Sequence, residues 1–313
     1  MRMVVMETET TTAPLDRGAL QAFERALDPA RPDDLPEGAS LVGFGEISMV
    51  FRLEACPGRV VKRVAGLRGD EALAYRQVVE AYVARLDACG VRVAPVEVVE
   101  VERSAGRRIT YLVQAALDPE RLAHRVAADA SDAQLDTLIT TILDHADEVL
   151  RRGAGFDAQL SNWALARPGA FDELTYLDLS TPMLRERGRE ALDLGFMLRS
   201  LPLPIHLAMR AAGARSMMDR YYARRTVALD VVSNLIKEGM ADRLGFAIEV
   251  VNRWLRRFDE RPLTVAEVRA DYRSDARLWA FLHAVRRPDR WVRTRLLGQS
   301  YDWGIAPRID RRA

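Results

Sequence analysis

Two kinds of hydrophobic spacing divide the chain into a β-rich first part and a helical second part. Short apolar runs at 40–44, 49–53 and 59–64 are separated by turn residues, which is the pattern of a small antiparallel sheet. Residues 70–89 then carry apolar side chains at helical spacing, and Gly90 provides a stop. The apolar positions of this predicted helix include Leu73, Val79, Val83 and Leu86.

Two further apolar runs, 93–101 and 108–115, flank the turn RSAG and complete a compact lobe of strands and one helix. After residue 118 the spacing becomes helical, and residues 132–151 carry an apolar stripe that predicts a helix buried along one face. The runs WALA and LTYLDL predict a short hairpin, and from residue 186 onward we find only helical patterns. These patterns include 217–237, 243–258 and 276–285.

The predicted fold class is therefore α+β, with a small antiparallel sheet lobe and a larger, mostly helical lobe. Residues 1–39 are an N-terminal extension with a short helical pattern at 15–27, residues 40–117 are the sheet lobe, and residues 118–313 are the helical lobe. At 313 residues the chain is long enough to bury a substantial core.

Composition indicates an ordinary soluble protein, with 49% apolar and 29% charged residues. No apolar stretch approaches the roughly 20 residues of a membrane span, and the segment METETTTAP lacks the successive regions of a signal peptide. The two cysteines are too few for a disulfide framework, and the four histidines are scattered. We therefore expect a cytoplasmic protein without membrane association; the sequence does not specify an oligomeric state.

The net charge of +1 conceals an asymmetry, because residues 201–313 hold 22 basic and 13 acidic side chains. Arginines on solvated helix faces explain this excess simply, but it also favours a neutral or anionic partner over a polycationic one. The basic segment RRPDRWVRTR, with Trp291 available for stacking, is compatible with nucleic-acid binding, which we regard as a disfavoured hypothesis. We expect Trp291 and Trp303 to be packing residues instead.

Lysine is almost absent from the chain, since only Lys62 and Lys237 are lysines among 46 basic residues. Each is therefore a candidate for chemistry that arginine does not perform. Lys62 ends the run GRVVK, shortly after the glycine-rich turn GFGEISMVF, which is where a phosphate-binding lysine would lie. A compact ammonium is a point donor to phosphate, although a lysine at a strand edge is often merely solvated.

The glycine-rich turn contains Gly43, Gly45 and Ser48, and its missing side chains would let backbone amides approach a ligand closely. A lysine directed at phosphates needs a carboxylate to orient it. We predict Glu80, in the middle of the following helix, as this partner. Glu71, in the first turn of the same helix, is the alternative, although it can also simply favour the helix dipole.

Three polar residues of the second lobe complete the candidate site. Asp157 lies in the loop GFDAQLSN, where it could orient an acceptor hydroxyl and take its proton. Asn162 follows five residues later, and Asp178 ends the run LTYLD, so both could supply oxygen ligands to Mg2+. Each residue alone is equally well explained as a turn or loop cap.

The order of these motifs over residues 41–180 resembles the protein-kinase-like superfamily. The resemblance implies a bilobal fold with ATP held between the lobes, Lys62 on the nucleotide phosphates and Glu80 as its partner. It further implies that Asp157 is the catalytic base and that Asn162 and Asp178 hold Mg2+. The segment EAYVARLDACGVRVAPVEVV is similar to the aminoglycoside phosphotransferase and choline kinase branch.

The chain departs from the family pattern at three places. Gly155 and Phe156 precede the aspartate where the family usually has His-Arg or His-Gly, and Ser180 replaces the glycine of DFG. Gln159 stands where a lysine or histidine often stabilises transition-state charge. An arginine such as Arg185 or Arg187 is a candidate replacement for that charge.

We therefore predict an ATP- and Mg2+-dependent phosphotransferase that acts on a hydroxyl group of a small, neutral or anionic molecule. Two alternatives remain open. The departures in the loop suit a nucleotide-binding pseudokinase or scaffold protein, and a Ser/Thr kinase acting on a peptide would use the same residues.

Overall fold

The structure is a computed structural model that describes residues 14–45, 48–104, 106–203, 205–207 and 218–305. The first 13 residues of the predicted extension, Glu46 and Ile47 of the glycine-rich turn, and Met217 of a predicted helix lie outside these residues.

The first lobe is a five-stranded antiparallel sheet in the order β1-β2-β3-β5-β4. All five strands coincide with the predicted apolar runs to within a few residues. Each run consists of alternating or consecutive apolar side chains and is bounded by turn residues. Their bounds are β1 Ala39–Phe44, β2 Ser48–Leu53, β3 Arg59–Val64, β4 Val96–Ser104 and β5 Arg107–Ala115.

Strand alternation gives the two faces of the sheet different partners. On one face, Val61 packs in a cluster with residues of α1 (Arg17–Ala26), and the buried Arg63 donates hydrogen bonds of 2.7 and 2.9 Å to Glu24 of that helix. On the other face, Val64 joins the core shared with α2 (Glu71–Ala88). Lys62 has the same alternation as Val64, so it faces the second lobe.

The second lobe is mostly helical, and the core formed by α2 continues into it without interruption. The predicted helix over 132–151 is confirmed, with a capping box at Ser131 and Gln134. Among the described residues, the helices of this lobe that can be bounded are α3 Ala123–Asp129, α4 Asp132–Arg151, α5 Gly195–Leu198, α6 Arg224–Lys237, α7 Leu244–Leu255 and α8 Val265–Trp291. Single 3-10 turns lie at Pro119–Arg121, Leu160–Asn162, Arg220–Tyr222, Ala241–Arg243 and Arg256–Phe258, and a π-helical turn at Val292–Leu296.

In the described part of the helical lobe, two hairpins interrupt the helices. The predicted one pairs β6 (Trp163–Leu165) with β7 (Leu174–Tyr176). The second pairs β8 (Arg185–Glu186) with β9 (Arg189–Glu190), so the expectation of only helical structure from residue 186 onward is wrong. Its two turn residues have positive φ, 49° at Arg187 and 74° at Gly188, which is the backbone of a tight hairpin turn and not of a helix.

Residues 301–305, which we call the C-terminal segment, pack on the sheet lobe. The main-chain oxygen of Asp302 accepts a 2.6 Å hydrogen bond from buried Arg63, and Gly304 lies directly against Phe44 and Met49 of the β1–β2 hairpin. Trp303 is buried, as expected for a packing residue, whereas Trp291 is 57% exposed, because it lies at the end of α8 and outside the core clusters.

The α+β class, with a small antiparallel sheet lobe followed by a larger, mostly helical lobe, is confirmed by this strand order and by the single helix that connects β3 to β4. Among the residues that the structure describes, no helix combines the length and the apolar character needed to cross a membrane.

Candidate functional site

The candidate site begins where β3 meets the β6–β7 hairpin. Lys62 lies opposite Val50 and Leu112 in the sheet, and its Nζ donates a 2.7 Å hydrogen bond to Asp178 Oδ1. The side chains of this pair are 15% and 28% exposed, so the ion pair is largely shielded yet reachable from solvent. Two predicted site residues from different lobes are thus in direct contact.

The predicted pairing of Lys62 with Glu80 is wrong. The buried positions of α2 are Ala72, Tyr75, Val79, Tyr82 and Leu86, and this stripe turns Glu80 to the exposed side of the helix. Glu71 has other partners: its Oε1 accepts a 3.0 Å hydrogen bond from Arg199, and its Oε2 accepts one of 2.8 Å from the Arg68 amide. The carboxylate that holds Lys62 is Asp178.

Tyrosines of α2 occupy the positions facing the site and hold its main chain. Tyr75 donates a 3.0 Å hydrogen bond to the main-chain oxygen of Ser180, and Tyr82 donates one of 2.9 Å to the oxygen of Gly155. Leu73, expected on the apolar side of this helix, is 57% exposed. The helix therefore positions the loops around both aspartates through hydroxyl groups.

The loop that carries Asp157 is fixed by its own polar groups and by the hairpin below it. Asn162 Nδ2 and the Tyr176 hydroxyl donate hydrogen bonds of 3.2 and 3.1 Å to the main-chain oxygen of Asp157. The amide of Gln159 donates a 3.3 Å hydrogen bond to Asp157 Oδ1. Asp157 and Asn162 therefore lie in one compact turn.

The two unusual residues before Asp157 have packing roles. A Cβ on Gly155 would lie 2.9 Å from the Tyr222 ring, so only glycine fits there. Phe156 is completely buried, and its ring contacts Trp163 and Tyr176 with centroid separations of 5.7 and 4.7 Å. The GFD sequence thus anchors the loop in an aromatic cluster.

Ser180, which replaces a glycine of the family pattern, completes the environment of Asp178. Its main-chain amide and its Oγ donate hydrogen bonds of 2.9 and 2.7 Å to Asp178 Oδ1, and the Lys62 ammonium lies 3.3 Å from the same Oγ. A glycine would supply only the amide. The serine therefore strengthens the orientation of the aspartate.

The two aspartates have opposite displacements of pKa. Burial, followed by the negative charge of Asp178, raises the pKa of Asp157 to about 6. Burial also acts on Asp178, but the charge of Lys62 and hydrogen bonds from Lys62 and Ser180 outweigh it and lower the pKa of Asp178. A pair of carboxylates displaced in opposite directions is the pattern expected of a proton acceptor beside a permanently ionised group.

The glycine-rich hairpin lies at the edge of the same sheet. The amide of Gly45 donates a 2.8 Å hydrogen bond to the Ser48 oxygen, and a Cβ on Gly45 would lie 2.8 Å from Ser48 Oγ. A Cβ on Gly43 would be 3.3 Å from Val50. The hairpin closes tightly at these positions, which explains the glycines structurally; their contact with a ligand stays a prediction.

Asp178 and Asn162 also fit the oxygen chemistry of Mg2+. The side-chain Nδ2 of Asn162 donates to the main-chain oxygen of Asp157, which fixes the orientation of the amide group. The main-chain amide of Leu177, the residue before Asp178, donates a 2.9 Å hydrogen bond to the main-chain oxygen of Asn162 and so holds the two segments together. In the described parts of the chain, no cluster of three or more His, Cys, Asp and Glu side chains could hold a metal. One carboxylate and one amide oxygen suit a metal that completes its shell with phosphate and water.

Helix α6 contributes polar groups whose place beside this loop we did not predict, although Lys237 was one of the two candidate lysines. Asp230, Asn234 and Lys237 recur at intervals of four and three residues, so they share one face of the helix. Asn234 Oδ1 accepts from the Ser161 amide at 3.3 Å, and Lys237 Nζ donates to Gln159 Oε1 at 3.4 Å. A polar stripe on an otherwise buried helix was the sequence signal for this contact.

Asp230 belongs electrostatically to the same cleft. Burial raises its pKa to about 7 against the opposing charge of Arg220, and the negative charge of Asp157 adds to the rise. Arg185, a candidate for the missing loop charge, is held by Glu190 and Asp219 at 2.6 Å each and stacks on the Tyr222 ring. Its guanidinium is therefore committed to the β8–β9 hairpin.

Comparisons with known proteins give one family match. A family model described as a family of unknown function, DUF6206, matches residues 31–290. No curated protein matches the chain. Among solved structures, the GDP and kanamycin complex of APH(2")-IIia has 10% sequence identity and a TM-score of 0.32, with 71% of this chain and 94% of that chain covered. At that TM-score, what the site does has to be argued from its own residues.

Proposed function

Since the chain belongs to DUF6206, a family of unknown function, we propose from the chemistry of its own cleft that it is an ATP- and Mg2+-dependent phosphotransferase. The acceptor is a hydroxyl group of a small, neutral or anionic molecule. Within the protein-kinase-like superfamily we assign it to the aminoglycoside phosphotransferase and choline kinase branch, because of the segment that joins α2 to β4. We expect it to act in the cytoplasm.

The observation that carries this proposal is the pair of carboxylates with opposite pKa displacements next to Lys62. A pKa of about 6 leaves Asp157 mostly ionised at neutral pH yet basic enough to accept a proton. In the proposed reaction Asp157 takes the proton of the acceptor hydroxyl. The acceptor oxygen then bonds to the γ-phosphorus, the bond to the bridging oxygen breaks, and ADP leaves.

Lys62 is suited to hold the nucleotide. Its ammonium has three donors, of which one binds Asp178 and one lies near Ser180, so the group can bridge between the carboxylate and a phosphate oxygen. The glycine-rich hairpin with Gly43, Gly45 and Ser48 would cover the phosphates from above. A bound Mg2+ would neutralise phosphate charge, and Asp178 with Asn162 would hold it.

The charge distribution guides the choice of acceptor. The excess of basic residues in 201–313 favours an anionic or neutral acceptor over a polyamine-like one. A nucleotide-binding protein without transfer activity is the second candidate, and it is favoured by one observation. Gln159 is neutral at the position where the family pattern has a cation.

Transfer and binding can be separated with two variants and a matched control. We would measure label transfer from γ-labelled ATP with Mg2+ to water and to a panel of sugars, polyols and amino alcohols, and nucleotide affinity by calorimetry. Asp157→Asn should abolish transfer and keep ATP binding, whereas Asp178→Asn should weaken both. Asp172→Asn, an exposed change at the turn of the same β6–β7 hairpin, should change neither.

ATP binding by the parent protein without any label transfer would leave the nucleotide-binding alternative in place of the enzyme. Absence of ATP binding would reject both. Equal transfer by the parent and Asp157→Asn would remove the aspartate from the proposed mechanism.

A further inference from the structure

The loop that holds the proposed base contains no cation of its own. Residues 157–162 read DAQLSN, and Gln159 is neutral. During phosphoryl transfer, negative charge is spread over the three equatorial oxygens of the transferring group, and a positioned cation stabilises it. If the proposed function is correct, this charge has to be supplied from outside the loop.

Lys237 is placed where such a cation is needed. It is the last residue of α6, its side chain is exposed, and its Nζ lies 3.4 Å from Gln159 Oε1. Gln159 is two residues from Asp157, and its main-chain amide donates to the Asp157 carboxylate.

Asn234 fixes the end of α6 to the loop. Its Oδ1 accepts a 3.3 Å hydrogen bond from the Ser161 amide, and its Nδ2 donates one of 3.3 Å to Gln159 Oε1. Gln159 Oε1 is therefore shared between Asn234 and Lys237. Because the same amide oxygen accepts from both, the helix end and the ammonium are tied to the loop that carries Asp157.

The ammonium has donors left for a ligand. Lys237 carries three N–H groups, and Gln159 accepts from one of them. By contrast, the guanidinium of Arg220 is paired with Asp230, and that of Arg185 with Glu190 and Asp219. The two lysines of the chain, Lys62 on β3 and Lys237 on α6, thus both lie at this cleft, in a protein whose other basic residues are arginines.

Resting on the phosphotransferase function above, we propose that Lys237 is a catalytic residue that replaces the missing loop cation from helix α6. Its ammonium donates hydrogen bonds to equatorial oxygens of the γ-phosphoryl group as that group passes from ADP to the acceptor oxygen. Lys237 keeps its protons throughout, and Asp157 takes the proton of the acceptor hydroxyl. Gln159 and Asn234 are positioning residues for the ammonium.

A purely structural role for Lys237 is the competing explanation, because a lysine in the last turn of a helix interacts favourably with the helix dipole. That role predicts a change in stability and no selective change in turnover. The two explanations therefore separate in kcat, in KM for ATP and in thermal unfolding, measured on the full chain.

Four variants test the proposal. Lys237→Met should lower kcat by about 10²- to 10³-fold, the loss expected for one donor to a transition-state oxygen, with KM for ATP within about 3-fold of the parent. Lys237→Arg keeps the charge at the helix end but has a wider, planar head, so it should recover only part of the rate. Gln159→Lys combined with Lys237→Met returns a cation to the loop and should restore at least 10-fold of the lost turnover. Arg253→Met, which removes an exposed cation from α7, is the control and should keep parental kinetics.

Binding of ADP with aluminium fluoride, a mimic of the transferring phosphoryl group, gives a readout that does not depend on the acceptor. Lys237→Met should weaken this complex about 10²-fold and leave ADP affinity unchanged. Parental kcat and parental affinity for the mimic in Lys237→Met would overturn the role of Lys237 while the phosphotransferase stands. A parent protein that neither transfers phosphate nor binds the mimic more tightly than ADP would overturn the proposed function, and the role of Lys237 with it.

Discussion

Breaking the ion pair between Lys62 and Asp178 should destabilise the protein even when no ligand is present. Lys62→Met preserves most of the volume of the side chain and removes its ammonium. Asp178 then keeps two hydrogen bonds from Ser180 but loses the 2.7 Å contact with Nζ. A partly buried carboxylate without its counter-charge is the source of the expected loss.

The magnitude follows from how exposed the pair is. Removing one partner of a fully buried pair costs about 3 to 5 kcal/mol, and a surface pair is worth about 0 to 1 kcal/mol. With side chains 15% and 28% exposed, this pair lies between the two limits, so we expect a loss of about 1 to 3 kcal/mol at pH 7. Urea denaturation measures it, and Arg17→Met, which breaks the exposed 2.8 Å pair with Glu97, should cost less than about 1 kcal/mol.

The dependence on pH tests the cause. In the parent protein the pKa of Asp178 is lowered by folding, so its contribution to stability is present above the unfolded pKa of about 3.9 and is lost as pH falls through the folded value. In Lys62→Met burial acts without the ammonium, and Asp178 binds a proton at higher pH. The gap in stability between parent and variant should therefore narrow as pH falls from 7 to 4.

A double-mutant cycle with Asp178→Asn decides whether the loss belongs to this pair. The coupling energy should be about 1 to 2 kcal/mol, because each single variant removes the same interaction. A coupling energy of zero, or a gap that stays constant between pH 7 and pH 4, would refute the argument that the ion pair is the stabilising contact.

Four further outcomes are expected. Asp157→Asn should stabilise the protein by about 1 to 2 kcal/mol at pH 8 and by less at pH 5, since the raised pKa of Asp157 means that its ionisation opposes folding above its unfolded pKa; destabilisation at pH 8 would contradict this. For the same reason, the rate of phosphoryl transfer should fall with a slope of one below about pH 6. Gly155→Ala should cost about 1 to 3 kcal/mol in urea denaturation because its Cβ meets the Tyr222 ring at 2.9 Å, while Gly245→Ala, whose Cβ points into open space on α7, should be neutral or stabilising. Lys62→Arg should weaken ATP binding in calorimetry about 10-fold or more, because the planar guanidinium does not fit the position of the ammonium; unchanged affinity would make the rarity of lysine irrelevant to this site.

The strands were predictable because local pattern and tertiary contact agree there. In β3, Val61 and Arg63 lie on one face of the sheet and Lys62 and Val64 on the other, as the alternation along the sequence requires. Turn residues bound each run. The helix over 132–151 was equally clear, since its apolar stripe and its capping box lie in the sequence itself. Both elements could therefore be recognised from the sequence without knowing their distant partners.

The partner of Lys62 was not predictable in the same way, because it depends on the rotation of α2 about its axis. We placed Leu73 on the buried side of that helix, but Tyr75 and Tyr82 occupy it, with hydroxyls that reach the loops at Ser180 and Gly155. A tyrosine is an ambiguous signal in a hydrophobic pattern, because its ring can be buried in the core while its hydroxyl binds a polar group. The stripe that includes the tyrosines would have placed Glu80 outside.

The role of α6 lay beyond the sequence for a different reason. Asn234 and Lys237 contact the loop from about 75 residues away, and only the fold brings the end of that helix to Gln159. The signal that was present, a polar stripe on a buried helix, indicates a polar neighbour without identifying it. Only the structure shows that Lys237 lies close to Gln159, the loop position that lacks a cation.

The C-terminal segment completes the packing of the sheet lobe, although it is synthesised last. Arg63 is completely buried in the folded chain, yet one of its hydrogen-bond acceptors, the main-chain oxygen of Asp302, follows it by 239 residues. At a translation rate of roughly 5 to 20 residues per second, the sheet lobe exists for about 10 to 50 seconds before that acceptor is made. During this interval the guanidinium of Arg63 can pair with Glu24 but has no Asp302 oxygen to bind. The side of the β1–β2 hairpin at Phe44 and Met49, which Gly304 covers in the folded chain, is then uncovered. Residues 301–305 therefore supply the last acceptor of Arg63 and the cover of the β1–β2 hairpin only at the end of synthesis.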